Sequence, residues 1–344
     1  MNRKWIGVII VILIFGGAAA IYGLLTNGSD QGAVDEVPGD DTELLVAPFT
    51  GQHSDESFDH RTVTAVIDNH PLARPHTGLG EADMVLEVLA EGNVTRFLAL
   101  YQSEMPDNIG PLRSARSYFV DLAAAYESFF IAHGFSPEAK RMLEAGAVDN
   151  INGIHHDGTL FRRSTDRHAP HNSYISYDNI REAMEMTDAS PLYSSDSPYR
   201  FYEPEESGKL TEEASGVKII YGNNPAFENS FSYDGATGLY SRTSGGIPTT
   251  DKETGDSLTF SNVLFLEAEH ERIDDQGRLL IDLDSGGDAL LFQDGKMSEA
   301  EWRPVDGMPV PFIEGEPAQL IPGKTWIHMV PASPGMNAMI DYTP

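Results

Sequence analysis

TVTAVID (residues 62–68), DMVLEVLA (83–90) and TRFLALYQ (95–102) are the three stretches whose reading decides the fold of the first half of this chain. Each is a short apolar run, and the outer two are rich in β-branched or aromatic residues, which reads as strands. A helix is predicted next, from Ser117 through SYFVDLAAAYESFFIAHG, because Phe119, Leu122, Ala123, Tyr126, Phe129 and Phe130 recur at three- and four-residue spacing. Gly134 is expected to stop it. Ser136-Pro137-Glu138 then supplies an N-cap hydroxyl and a proline at the first helical position, opening a second helix that ends near Gly146. Ser176, with Asp178 in the first turn, opens a third that carries NIREAMEM. Residues 47–190 are therefore expected to form a mixed domain of the α+β or α/β class.

Working outward toward the C-terminus, residues 191–213 are rich in Pro, Gly, Ser and acid and read as a connection. Residues 214–344 then read as a predominantly β domain, through VKIIYG, FSYDGATGLYSRTSGG, NVLFLEAEH, RLLIDL, ALLFQDGK and TWIHMV. Asp234-Gly235 and Asp294-Gly295 are hairpin signals. Neither half shows a repeat of fixed period.

Working outward toward the N-terminus, residues 26–46 are Gly-rich and acidic and are expected to be a disordered spacer. Before them lies WIGVIIVILIFGGAAAIYGLL (residues 5–25), an uncharged run whose about 21 residues match a hydrocarbon core of about 30 Å. Arg3 and Lys4 precede the run and acid follows it, so a single transmembrane helix is predicted, with residues 1–4 as a cytoplasmic tip and both domains extracytoplasmic. The alternative is a cleaved signal peptide with Ala18-Ala19-Ala20 at the cleavage site and a secreted product.

The net charge of −30, from 53 acidic against 23 basic residues, repels nucleic acid and anionic lipid. No nucleic-acid partner is expected, and membrane contact is expected through the N-terminal helix alone. The absence of cysteine removes lipid-modified cysteine, disulfides, thiol catalysis and thiolate ligands from the possibilities.

Against this acidic background, three loops concentrate Arg, His and Asn: IDNHPLARP (67–75), IGPLRSAR (109–116) and FRRSTDRHAPHN (161–172). Loops at strand ends and helix starts commonly converge on one ligand, and guanidinium groups fork onto carboxylate or phosphate. The candidate ligand-binding residues are Asp68, Asn69, Arg74, Arg113, Arg116, Arg167, His171 and Asn172. The competing reading is that these arginines pair internally with Asp68, Asp83, Glu87, Glu91 and Asp166. His133 or His171 could serve as acid or base, and Glu87 and Glu91 with Asp68 could form a paired-carboxylate site. His168 and His171 are three apart, but Pro170 keeps that stretch extended and argues against a metal site. No metal or cofactor is indicated. No G-x-S-x-G elbow, phosphate-binding glycine loop or H-E-x-x-H motif is present.

Taken together, IDNHPLARPHTGLGEADMVLEVLAEGNVTRFLALY, IGPLRSARSYFVDLA and FRRSTDRHAPHNSY resemble the YerB-like family of bacterial lipoprotein-like chains, built of two domains of unknown function. NVLFLEAEH, GDALLFQDGK, the segment around Trp302 and the ending IPGKTWIHMVP resemble the second of those domains. The resemblance implies an envelope location. It departs from the family in lacking the lipid-bearing cysteine, for which the helix at residues 5–25 would substitute. It implies no reaction and carries over no catalytic residue. The leading expectation is a tethered protein that binds an anionic envelope component such as peptidoglycan. The alternatives are an envelope hydrolase or transferase using Asp68, Glu87 or His171, and a scaffold whose β-rich region contacts an envelope protein.

Overall fold

The computed structural model describes residues 45–344 except 56, 194–195, 204–207, 209, 211 and 223. Its main strands in the first region are β1 (Val63–Asp68), β2 (Met84–Glu91), β3 (Val94–Tyr101), β4 (Phe129–Ala132) and β5 (Asn150–Asn152). The second region adds β6 (Gly216–Ile220), β7 (Glu228–Asp234), β8 (Leu239–Ser244), β9 (Asn262–Ala268) and β10 (Gly287–Gln293). It continues with β11 (Lys296–Val305), β12 (Met308–Ile313), β13 (Thr325–Pro331) and β14 (Ile340–Thr343).

The three runs that opened the sequence reading are β1, β2 and β3, paired antiparallel in the order β2-β3-β1. They do not form a sheet of their own region. One sheet runs Glu316–Pro317, β12, β11, β10, β9, β13, β2, β3, β1, β4, β5, so the strands of the second region form one side of it and those of the first region the other. The junction is β13, which pairs in parallel with β9 on one side and with β2 on the other. A parallel strand covered on both faces needs a continuous apolar run, and TWIHMVP is buried along its whole length. The two regions, distinct in sequence, are thus continuous in backbone hydrogen bonding.

A second sheet, ordered Ile247–Pro248, β8, β7, β6, β14, lies against one face of the first. Val85, Phe97, Phe265 and Trp326 pack there with Val217, Ile219, Phe231 and Tyr240 in one apolar core. The opposite face, with Leu86, Leu98, Leu264 and Ile327, is covered by Tyr118, Phe119 and Leu122 of the Ser117–Ala125 helix. Each fully buried side chain of this size contributes about 1.5–3 kcal/mol relative to exposure.

The expected helix from Ser117 to Gly134 is shorter than its spacing suggested. It ends at Ala125, Glu127 turns into the left-handed region at φ 49°, and Phe129–Ala132 becomes strand β4, parallel to β1. A buried aromatic and β-branched run beside an open sheet edge gains more from strand pairing than from continuing a helix. The second and third helices lie at Pro137–Glu144 and Tyr177–Met186. Ser136 caps the former by accepting from Ala139 N at 3.2 Å, and Ser176 caps the latter by accepting from Asn179 N at 3.3 Å. Asp294-Gly295 joins β10 to β11 as a two-residue hairpin with φ 54° and 68°, the positive pair that Asp-Gly supplies at low cost.

Leu45–Val46, the last two residues of the expected spacer, form a short strand with His53–Ser54. The remainder of that spacer and the apolar run at residues 5–25 lie outside the described residues. Among the described residues no helix is long and apolar enough to cross a membrane.

Candidate functional site

Strand β1 ends at Asp68, and the next residues deliver neighbouring side chains to different surroundings. Asp68 Oδ2 lies 2.6 Å from His171 Nδ1 and 3.7 Å from Arg113 Nε, while Oδ1 accepts from His70 N at 3.1 Å. The His70 and His171 rings are stacked, with centroids 4.4 Å apart and planes at 19°. Three loops therefore meet at one carboxylate: 67–75 brings Asp68 and His70, 109–116 brings Arg113, and 161–172 brings His171. Each is fixed by the sheet. Arg113 N donates to Val66 O at 2.8 Å, and the third loop closes the Phe161–Arg163 and Ser173–Ser176 hairpin.

A carboxylate on Nδ1 fixes the orientation of the His171 ring and leaves Nε2 without a hydrogen-bond partner among the described residues. Burial, and then the neighbouring His171 imidazole, hold His70 below the usual imidazole range. Arg113 is 27% exposed in its side chain, and its guanidinium makes no hydrogen bond among the described residues. Close by, His133 Nε2 accepts from Arg163 Nη2 at 2.8 Å, so its Nδ1 carries the proton toward Ser173 Oγ at 2.7 Å. With both nitrogens engaged, His133 is a structural tie between loops, and burial followed by the Arg163 charge depresses its pKa.

The other arginines of the three loops divide differently. Arg116 pairs with Glu91 and donates to Ala115 O at 2.9 Å, and Glu91 also accepts from Arg96 Nη2 at 2.7 Å. The register shift between Leu89 and Glu91 explains why Glu91 parts from Glu87, four residues earlier on the same strand. Arg167 donates to Ala73 O at 2.7 Å, Pro75 O at 2.6 Å and Tyr174 Oη at 2.8 Å, lacing two loops together. Arg74 donates to Asn69 O and Oδ1 and to Ala226 O. Asn172 Nδ2 donates to Ser164 O at 3.0 Å and Arg167 O at 3.3 Å, holding the third loop closed. Of the eight residues singled out from sequence, Asp68, Arg113 and His171 stand together, and the other five serve the loops that carry them.

Asn69 leads into the interior. Its Nδ2 donates to Glu87 Oε1 at 3.2 Å, where Thr95 Oγ1 (2.7 Å) and Asn229 Nδ2 (2.9 Å) also donate. Arg242 Nη2 bonds Glu87 Oε2 at 2.9 Å, with both side chains 0% exposed. Burial alone would raise the Glu87 carboxyl, but Arg242 and His328 pull it below the ordinary carboxylate range. Burial lowers His328 to about 4, so it is neutral at physiological pH and accompanies this ion pair as a dipole. Glu87 is therefore out of reach of any substrate, and the paired-carboxylate arrangement of Glu87, Glu91 and Asp68 is not formed. Sequence reasoning passed over Arg242 and His328, although each is one charged or titratable residue set inside an otherwise strand-like run, LYSRTS and TWIHMV, as Glu87 is in MVLEVLA. Among the described residues no cluster of three or more His, Asp or Glu is arranged to hold a metal ion.

Fold and site together define a class: an α+β protein whose two sequence regions share one sheet and whose loops gather an Asp-His-Arg cluster with no reaction-specific motif. Residues 49–190 match the family model described as "Protein of unknown function (DUF3048) N-terminal domain", and residues 217–327 match its C-terminal counterpart. The chain belongs to this YerB-like family. It is 45% identical over 299 residues to the Bacillus subtilis (strain 168) protein named "Putative lipoprotein YerB", covering 86% of this chain and 89% of that one. It is also similar to the crystal structure of YerB from Bacillus subtilis, with a TM-score of 0.80 at 43% identity over 87% of this chain and 100% of the other. The family read from the loop motifs is thus the one the comparisons give.

Proposed function

We propose that this chain is a membrane-tethered protein of the cell envelope that binds an anionic envelope component, such as peptidoglycan, at the cluster of Arg113, Asp68, His70 and His171. The single observation that carries this reading is Arg113: a partly exposed guanidinium, positioned by β1, with no hydrogen bond to its own nitrogens among the described residues. The surrounding charge supports it. On a chain of net charge −30, the loops around Arg113 also carry Arg162, Arg163 and Arg167, with Asp68, Asp157 and Asp166 as ion-pair partners of Arg113, Arg163 and Lys252. The tether rests on the apolar run at residues 5–25 and the basic residues before it, and the name of the Bacillus subtilis relative points to the same compartment. Co-sedimentation of the extracytoplasmic chain with purified cell wall tests it. Arg113→Ala should abolish sedimentation, and Arg116→Ala, whose partner is Glu91, should not. Binding that persists in Arg113→Ala overturns the reading.

A second reading is favoured by a separate observation, the 2.6 Å contact between Asp68 and His171 Nδ1 with Nε2 unpartnered among the described residues, which is how a general base is oriented. On that reading the bound envelope polymer is also cleaved or transferred. Turnover of labelled wall fragments that disappears in His171→Gln would establish it, and inertness toward wall, glycan and phosphoester substrates would remove it.

A further inference from the structure

The spare hydrogen-bonding capacity of the Asp68, His70, His171 and Arg113 cluster is open rather than sealed. Buried side-chain atoms without a partner occur elsewhere among the described residues, at Arg242 Nε and His328 Nε2 for example, but neither His70 Nε2, His171 Nε2 nor any nitrogen of Arg113 is one of them. None of these atoms has a hydrogen-bond partner among the described residues either, so each keeps accessible surface. The side chains of His171 and Arg113 are 14% and 27% exposed. Polar groups held this way exchange water for a ligand without any rearrangement of the loops that carry them.

The partner each open atom needs follows from what the rest of its side chain is bonded to. Ionised Asp68 can only accept, so His171 Nδ1, 2.6 Å away, carries a proton, and in the uncharged ring Nε2 is a lone pair that needs a donor. His70 is arranged the opposite way. Its Nδ1 accepts from Leu72 N at 3.2 Å, so in the uncharged ring Nε2 holds the proton and needs an acceptor. Burial, and then the neighbouring His171, keep His70 below the usual imidazole range and hence uncharged at neutral pH. The two rings are stacked with centroids 4.4 Å apart, so one donor and one acceptor are presented side by side. Arg113 turns Nε toward Asp68, and its two Nη groups are free to fork onto an anion. A carboxylate or phosphate by itself supplies acceptors only, which suits Arg113 and His70 but sets negative oxygen against the His171 lone pair. A hydroxyl close to the charge supplies the missing donor, and its oxygen can accept from His70 as well.

Resting on the reading of this cluster as an anion site, we propose that its ligand is a hydroxylated anion, with a hydroxyl close to the charged group as in a polyol phosphate or a sugar acid. Arg113 takes the charged oxygens, His171 Nε2 accepts from the hydroxyl, and His70 Nε2 donates to an oxygen of the same ligand.

Matched probes test this in calorimetric titrations of the extracytoplasmic chain at about pH 8, above the ordinary imidazole range. The pairs are glycerol phosphate against propyl phosphate, and gluconate against hexanoate. In at least one pair the hydroxylated member should bind about three- to ten-fold more tightly than its partner, and which pair does so tells phosphate from carboxylate. His171→Phe keeps a ring on the His70 stack and removes the lone pair, so it should level that pair. If the variant does not fold, the native protein decides: in proton–nitrogen correlation spectra of the imidazoles, the His171 Nε2 resonance should move with the hydroxylated probe and not with its partner. Binding by none of the four probes, equal binding within both pairs, a preference that survives His171→Phe, or an Nε2 resonance indifferent to the hydroxyl overturns the proposal. Wall co-sedimentation keeps the two readings apart. If Arg113→Ala abolishes it while both pairs bind equally, the anion site stands and the hydroxyl requirement falls; if it persists in Arg113→Ala, the site itself falls.

Discussion

Two polar clusters of this molecule are built from the same residue kinds and have opposite character. Between the sheets, Glu87 is held by Asn69, Thr95, Asn229 and Arg242, with His328 beside it and Arg242 lying 4.3 Å over the Trp326 ring. At the loop ends, Asp68 is held as firmly by His171 and the His70 amide, but Arg113 and His171 Nε2 retain unused hydrogen-bonding capacity. Charge type does not distinguish the two clusters. Exposure does: Glu87 and Arg242 are both 0% exposed, so any capacity left at Arg242 Nε and His328 Nε2 is sealed from a ligand, whereas Arg113 keeps 27% of its side chain exposed.

The contrast can be broken most forcefully from the buried side. Arg242→Met removes the one full charge facing Glu87 and strands a carboxylate in the core, which costs about 3–5 kcal/mol. Urea unfolding of the variant should show it as a large fall in midpoint, whereas Asp68→Asn, which keeps an acceptor for the His70 amide and leaves only the partly exposed Arg113 without its ion-pair partner, should cost far less. If the two variants lose similar stability, the clusters do not differ in the way described.

The pH dependence of stability sharpens the same contrast with a smaller effect. His328 titrates at about 4 in the folded protein against 6.5 ordinarily, through burial. As pH falls from 6.5 toward 4, the unfolded chain takes up a proton that the folded chain refuses, so stability drops by about 1.4 kcal/mol per pH unit. His76, lowered to about 3 by burial and by Arg74, acts in the same direction. Asp83 opposes them: burial raises it from 3.8 to about 6, so below pH 6 the folded state is the one that gains the proton. His328→Asn should therefore flatten the loss between pH 6 and 4 by about 1.4 kcal/mol per unit, and Asp83→Asn should steepen it by about as much. An unchanged slope in His328→Asn would mean that the buried imidazole is already protonated beside Glu87.

Local elements were legible because local chemistry specifies them: short apolar runs for β1 to β3, with β-branched or aromatic residues in β1 and β3, serine caps at Ser136 and Ser176, and the Asp294-Gly295 turn. The helix continued past Ala125 was misread because Phe129 and Phe130 satisfy a helical period and a strand composition alike, and the neighbouring edge of β1 decides between them. The insertion of β13 between β9 and β2 could not be read at all, since Met84 and Thr325 pair across most of the chain and nothing local encodes that register. Site legibility followed the same line. The three loops were found by their residue types, but which arginine remains open depends on distant partners: a bulge that turns Glu91 toward Arg116, and carbonyls of Ala73 and Pro75 that occupy Arg167.

The smallest effect on stability is the most informative. Arg113→Ala deletes a guanidinium that is more than a quarter exposed, lies 3.7 Å from Asp68 and makes no hydrogen bond of its own among the described residues. Asp68 retains His171 and the His70 amide, so no buried group is left unpaired, and the loss should stay within about 0.5 kcal/mol. Wall co-sedimentation of that same preparation should nevertheless disappear. A variant that keeps its stability and loses its ligand places Arg113 in recognition, since a residue kept for the fold would lose both together. A loss above about 2 kcal/mol would instead put Arg113 with Arg116 and Arg167, among the side chains that hold the loops.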